Sequence, residues 1–229
     1  MSKHLQRDLG RLREEILTLG GLVEGSLDLA VRSLVERRPD LAAEVRSRDR
    51  VIDRREVDLE EECMKVLALH QPVATDLRFI VAVMKVNNDL ERVGDLACNI
   101  AKRAKRLAQE PPLELPFDVV GMVDKVKAML RSALYCLVEL DPRKALQVCE
   151  ADDEIDRCQR DLFRVLEEQM KQDPATVSRG IHLLSIGRHL ERIGDHATNI
   201  AEDVIFMVEG DVVRHRKRSK GAADAEASE

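Results

Sequence analysis

Glu91 and Asp95 stand four residues apart in Leu90-Glu91-Arg92-Val93-Gly94-Asp95, and the pair returns as Glu191 and Asp195 in Leu190-Glu191-Arg192-Ile193-Gly194-Asp195. Across residues 89–101 and 189–201, nine of thirteen positions are identical and no gap intervenes. A shared core accounts for repeated apolar residues but not for repeated carboxylates. Two residues four apart on a helix are rotated by about 40°, so each pair forms one acidic face. Asp49/Asp53 and Asp152/Asp156 repeat the spacing upstream of each motif. If each aspartate pair lies on a helix beside its Glu/Asp pair, each half of the chain carries four carboxylates together.

Like charges a few ångströms apart repel and raise one another's pKa, and a multivalent cation is the usual compensation. All-oxygen ligation selects hard ions such as magnesium, manganese, calcium or iron over Zn²⁺ or Cu⁺. The spacing therefore proposes Glu91, Asp95, Glu191, Asp195, Asp49, Asp53, Asp152 and Asp156 as metal ligands, with the metal unidentified. Asn99, Asn199 and Glu202 are possible additional ligands or supports, and Glu56 is a weaker candidate on the same faces. The competing reading is a set of solvated or arginine-paired helix faces, since Arg50, Arg54, Arg92, Arg157 and Arg192 lie nearby in sequence. Repetition favours metal more strongly at the Glu/Asp pairs than at the aspartate pairs. Gly94 and Gly194 sit inside the motifs; glycine costs about 1 kcal/mol in a helix, which points first to close helix packing and second to ion access.

The elements that must position these residues are marked out by proline. Seven prolines leave Pro-free stretches at 1–38, 40–71, 73–110, 117–141, 143–173 and 175–229. Proline breaks helix interiors but suits a first helical turn, so the stretches read as six helices. In the first, Leu5, Leu9, Leu12, Ile16, Leu19, Val23, Leu27, Ala30 and Leu34 trace one apolar stripe, with a kink expected at Gly20-Gly21. No stretch alternates with period two, so no sheet is expected. Pro39, Ala42, Val45, Asp49, Ile52 and Asp53 recur 103 residues on as Pro142, Ala145, Val148, Asp152, Ile155 and Asp156. The fold expected is all-α: two tandem three-helix bundles, residues 1–110 and 117–210, joined by a hinge near 110–116 and followed by a disordered tail over 214–229.

Composition narrows the function classes. The net charge of −6 argues against non-specific nucleic-acid binding. Five cysteines without a CxxC pair suit free thiols in a reducing cytoplasm, mostly as small core residues. The N-terminus lacks the apolar core of a signal peptide and no run is long enough to span a bilayer, so a soluble, cytoplasmic chain is expected. His182, His189 and His196 recur every seven residues, rotated away from Glu191, and read as a solvated or partner-facing stripe. The Arg214–Lys220 run reads as a solvated basic tail. No glycine-rich phosphate loop or nucleophile elbow is present.

The two ExxxD copies in Leu-Glu-Arg-[Val/Ile]-Gly-Asp closely resemble the PhoU family of phosphate-transport accessory regulators. The likeness runs from about Leu5 to Gly210 and includes Gly20-Gly21-Leu22-Val23-Glu24 and Gln71-Pro72 with Asp76-Leu77-Arg78. The resemblance implies a cytoplasmic, non-enzymatic protein of two three-helix bundles, homodimeric, that negatively controls phosphate uptake and phosphate-starvation signalling. Its implied partners are the ATPase subunit of a phosphate ABC transporter and a phosphate-sensing histidine kinase, with any membrane contact made through them. The family's acidic motifs, which bind metal clusters in some members, fall on the eight carboxylates above; the second helices carry Asp where the family also uses Glu. Two alternatives stay open on the residues alone. A carboxylate-bridged di-metal, ferritin-like oxidase would need Glu-x-x-His, which this chain lacks. A purely structural helical adaptor would not need matching motifs.

Overall fold

The structure, a computed structural model, describes residues 3–112 and 118–210. Six α-helices carry the chain: α1 (Lys3–Val35), α2 (Pro39–His70), α3 (Ala74–Leu107), α4 (Val119–Glu139), α5 (Pro142–Gln172) and α6 (Val177–Glu209), with a short 3-10 turn at Pro174–Thr176 before α6. Among the described residues there is no strand, as the missing period-two alternation required. The expected hinge falls partly, at 113–117, outside the described residues, as do the tail from 214 and the Arg214–Lys220 run.

Pro39 and Pro142 each occupy the first turn of their helix, where no backbone donor is lost. Asp141 caps α5 by accepting hydrogen bonds from the Arg143 and Lys144 amides, each at 3.1 Å. Gly210 ends α6 in the left-handed conformation, at φ 78°. The apolar stripe of α1 is buried along its whole length, from Leu5 to Leu34. No break occurs at Gly20-Gly21: α1 runs through both. Gly20 instead lets α1 approach α4, since a Cβ there would lie 2.3 Å from Leu134 Cδ1.

Helices α1, α2 and α3 pack on one another, as do α4, α5 and α6. The halves meet through α3 against α6 and α1 against α4, so these four helices form a closed ring with α2 and α5 outside it. Three ion pairs and one histidine–aspartate hydrogen bond stitch the two seams. Across α1 and α4, Lys127 reaches Asp28 and Arg131 reaches Glu24, each at 2.6 Å. Across α3 and α6, Lys85 reaches Asp203 at 3.0 Å and His196 reaches Asp89 at 2.8 Å. Cys63, Cys98, Cys136 and Cys149 are buried, Cys158 is half-buried, and none is in a disulfide.

Candidate functional site

The outer helices bring each aspartate pair against its Glu/Asp pair in both halves. Gly94 packs on Ile52 of α2, with contacts of 3.3 and 3.4 Å to the position its Cβ would occupy, and Asp49 Oδ1 lies 3.7 Å from the same point. Gly194 packs on α5 in the matching register: Asp152 Oδ1 lies 3.3 Å and Ile155 Cγ2 3.5 Å from its Cβ position. The glycine between the Glu and the Asp of each motif is thus the point where the neighbouring helix presents its first aspartate. Close packing is its role, as the cost of a helical glycine suggested.

The electrostatics follow from that register. Burial raises the Asp49 carboxyl above its ordinary value, a hydrogen bond with Cys98 partly offsets it, and Asp53 and Asp95 raise it further. Glu91 is raised by burial and then by Asp95, with smaller contributions from Asp53 and Glu56 against the lowering effect of Arg92. Glu56 is itself raised by burial, Glu60 and Asp53, and so belongs to this face. In the second half Glu191 is raised by burial, then Asp195 and Asp156, with Asp152 adding to them. Asp195 is exposed at the surface, yet the surrounding protein and Asp156 raise it against His196 and Arg192. The eight predicted carboxylates therefore fall into two sets of four, one in each half, with repulsion linking some members of each set.

Arginine pairing accounts for little of this face. Arg92 is 3.5 Å from Glu91 and Arg160 is 3.8 Å from Asp156, both with largely exposed guanidinium groups. Among the described residues, Asp49, Asp53, Asp95, Glu191 and Asp195 have no Lys or Arg nitrogen within 4.0 Å. The donor set, oxygen only and over-supplied with negative charge, suits a hard cation. Yet among the described residues no three His, Cys, Asp or Glu side chains converge closely enough to hold one metal ion. The carboxylates share a face and a field without closing a coordination sphere.

The secondary candidates divide. Asn99 accepts a hydrogen bond from Lys102 Nζ at 3.3 Å. Asn199 and Glu202 are half-buried on α6, and Glu202 is not among the leading charges acting on Glu191 or Asp195. Cys98, whose counterpart is Thr198, hydrogen-bonds Asp49, and burial pushes its thiol up to about 12.

The histidine stripe is half-buried rather than fully solvated. It lies on the α3 side of α6: His196 pairs with Asp89, while the Nδ1 atoms of His182 and His189 are buried without a hydrogen-bond partner among the described residues. Burial lowers the pKa of both, and Arg103 of α3 lowers it further. A seven-residue stripe marks a buried seam as readily as a surface, and only the position of α3 distinguishes them.

Comparison with known proteins agrees with this doubled arrangement. The PhoU domain matches residues 16–104 and again 119–204. The chain is 40% identical over 227 residues to the phosphate-specific transport system accessory protein PhoU homolog of Zymomonas mobilis, covering 99% of this chain and 95% of that one. It is 39% identical over 212 residues to the Aquifex aeolicus homolog of the same name, covering 93% and 96%. The crystal structure of PhoU from Pseudomonas aeruginosa superposes with a TM-score of 0.84 at 39% identity, over 90% of this chain and 99% of that one. The phosphate transport system regulatory protein PhoU from Streptococcus pneumoniae gives the same TM-score at 28% identity, over 91% and 99%. With both copies of the domain matched and near-complete relatives on either side, the chain belongs to the PhoU family.

Proposed function

We propose that this chain is a non-enzymatic accessory regulator of phosphate transport that restrains uptake and phosphate-starvation signalling. It acts in the cytoplasm as a homodimer, between the ATPase subunit of a phosphate ABC transporter and a phosphate-sensing histidine kinase. Full-length similarity to relatives named as phosphate-transport accessory proteins supports the role. Among the described residues no helix is long and apolar enough to cross a membrane, which fits a protein that reaches the membrane through partners. Residues 1–110 and 117–210 are its two units.

The observation that carries the mechanism is the doubled carboxylate face. Asp49, Asp53, Glu91 and Asp95 would hold hard cations on one half, and Asp152, Asp156, Glu191 and Asp195 on the other. Magnesium, manganese or iron would supply positive charge that relieves the repulsion raising Glu91 and Glu191. The carboxylates themselves join α2 to α3 and α5 to α6, so neutralising them fixes the outer helices on the ring.

Elemental analysis of the purified protein beside the Asp95→Asn/Asp195→Asn variant tests the metal. Hard ions in the wild type, depleted in the variant, are expected; negligible metal in both after incubation with Mn²⁺ and iron refutes the ligand assignment. The regulatory role is tested in cells lacking the chain, where a phosphate-starvation promoter should become active in phosphate-rich medium. An unchanged reporter and unchanged phosphate uptake would refute it.

A further inference from the structure

A second candidate site lies away from the carboxylates, in the groove between α4 and α5. It encloses about 750 Å³, within the range of small-ligand pockets. Its lining carries Lys125, Arg131 and Lys144 against the single acid Glu154, a positive excess on a chain whose net charge is −6. A groove farther along the α1–α2 face, about 540 Å³, is lined by four basic and four acidic side chains and no aromatic one. By the 103-residue offset, Lys144 and Glu154 fall on Leu41 and Val51 of the first half, so this charge pattern belongs to the α4–α5 groove and not to the repeat.

Along α4 the polar contacts are spread out. Lys125, Arg131 and Tyr135 fall at about 0, 9 and 15 Å along the helix axis. Tyr135, the only tyrosine, is 47% exposed, and Lys144 lies 4.3 Å from its ring centroid. Met129 and Val148 lie buried along the groove and give it an apolar component. Bare inorganic anions gain nothing from an aromatic face and an apolar floor; a planar base with a phosphate chain uses both.

We propose that the α4–α5 groove binds a nucleoside polyphosphate, its base beside Tyr135 and Lys144 and its phosphates toward Arg131 and Lys125. The cations are engaged in pairs that solvent already weakens: Lys125 with Glu154, Arg131 with Glu24, and Lys144 with Asp141 at 3.9 Å. A polyphosphate replaces these partners with several charges at once. Because Glu24 belongs to α1, phosphate at Arg131 competes with the α1–α4 seam, which gives the ligand a route to the contact between the halves. None of the eight proposed metal ligands lines the groove.

Isothermal titration with ATP in divalent-free buffer tests the site, since no metal then bridges phosphate to the carboxylates. Saturable binding is expected, weakened about tenfold by Lys125→Ala, Lys144→Ala or Tyr135→Ala and tightened by Glu154→Gln, with the helical circular dichroism unchanged. The Glu154→Gln gain cannot come from misfolding. Inorganic tripolyphosphate should bind at least about tenfold more weakly than ATP. No saturable heat at millimolar ATP, affinities unmoved by these variants, or equal affinity for tripolyphosphate would each overturn the proposal.

Discussion

Gly20 and Gly21 are neighbours on α1 with opposite surroundings, and alanine at each should act in opposite directions. Gly21 is exposed and a Cβ there meets nothing within 4 Å, so Gly21→Ala gains about 0.5–1 kcal/mol of helix propensity. Gly20 is buried against Leu134, and a Cβ would sit 2.3 Å from Leu134 Cδ1. Leu134 is only 4% exposed, so it must leave its rotamer or α1 must withdraw from α4. Overpacking of this kind costs roughly 1–3 kcal/mol, which meets or exceeds the propensity gain. The two variants should therefore differ by about 1–3 kcal/mol, or roughly 2–4 °C in Tm for each kcal/mol in a chain of this size. Urea and thermal denaturation followed by circular dichroism measure the difference. Leu134→Val should rescue Gly20→Ala, with a coupling of about 0.5–2 kcal/mol. Equal stability of the two alanine variants would refute the overpacking, showing that the tip of Leu134 turns aside at little cost.

Acid should relieve a penalty that the acidic clusters of the metal-free protein carry at neutral pH. Asp49, Glu56, Glu91, Glu191 and Asp195 have raised folded pKa values, so their charged forms destabilise the fold at neutral pH and the penalty is relieved as pH falls through those values. Asp8, Glu36, Asp40 and Glu154 are lowered by their partners, and their contribution is lost only as pH falls through their depressed values. His182 and His189, whose folded pKa values are lowered, act the other way as pH falls through the ordinary histidine value, so the clusters are best read in the metal-free His182→Gln/His189→Gln variant. Its melting temperature should rise as pH falls toward the ordinary carboxylate range and drop below that range, and a monotonic fall from pH 7 in this variant would contradict the clusters. Lys85→Met removes the cation 3.0 Å from Asp203, whose side chain is only 4% exposed, and should cost about 1–3 kcal/mol in urea unfolding. An unchanged midpoint would show that the α3–α6 pair contributes nothing.

The sequence by itself determined the six helices, their grouping in threes and the residues of the acidic faces. Those properties are local or repeated: proline marks helix starts, the 3.6 period marks the buried stripe of Leu5 to Leu34, and two copies of one motif exclude chance. The Glu91/Asp95 face could be read because four-residue spacing fixes its direction on a helix. That Asp49 and Asp152 would stand over Gly94 and Gly194 depended on the register of two helices, which spacing within one helix does not set. The seams between the halves were less legible still. Lys85 and Asp203 lie 118 residues apart and Arg131 and Glu24 lie 107 apart, with no periodic signal to join them. The histidine stripe shows the same limit, since its face was legible but its neighbour was not. Gly20-Gly21 drew attention because glycine weakens a helix; α1 runs on through both, and the missing Cβ at Gly20 admits Leu134, which the sequence did not indicate. Local patterns fix what a helix is and which way it faces, whereas the shape of the surface opposite decides what each face does.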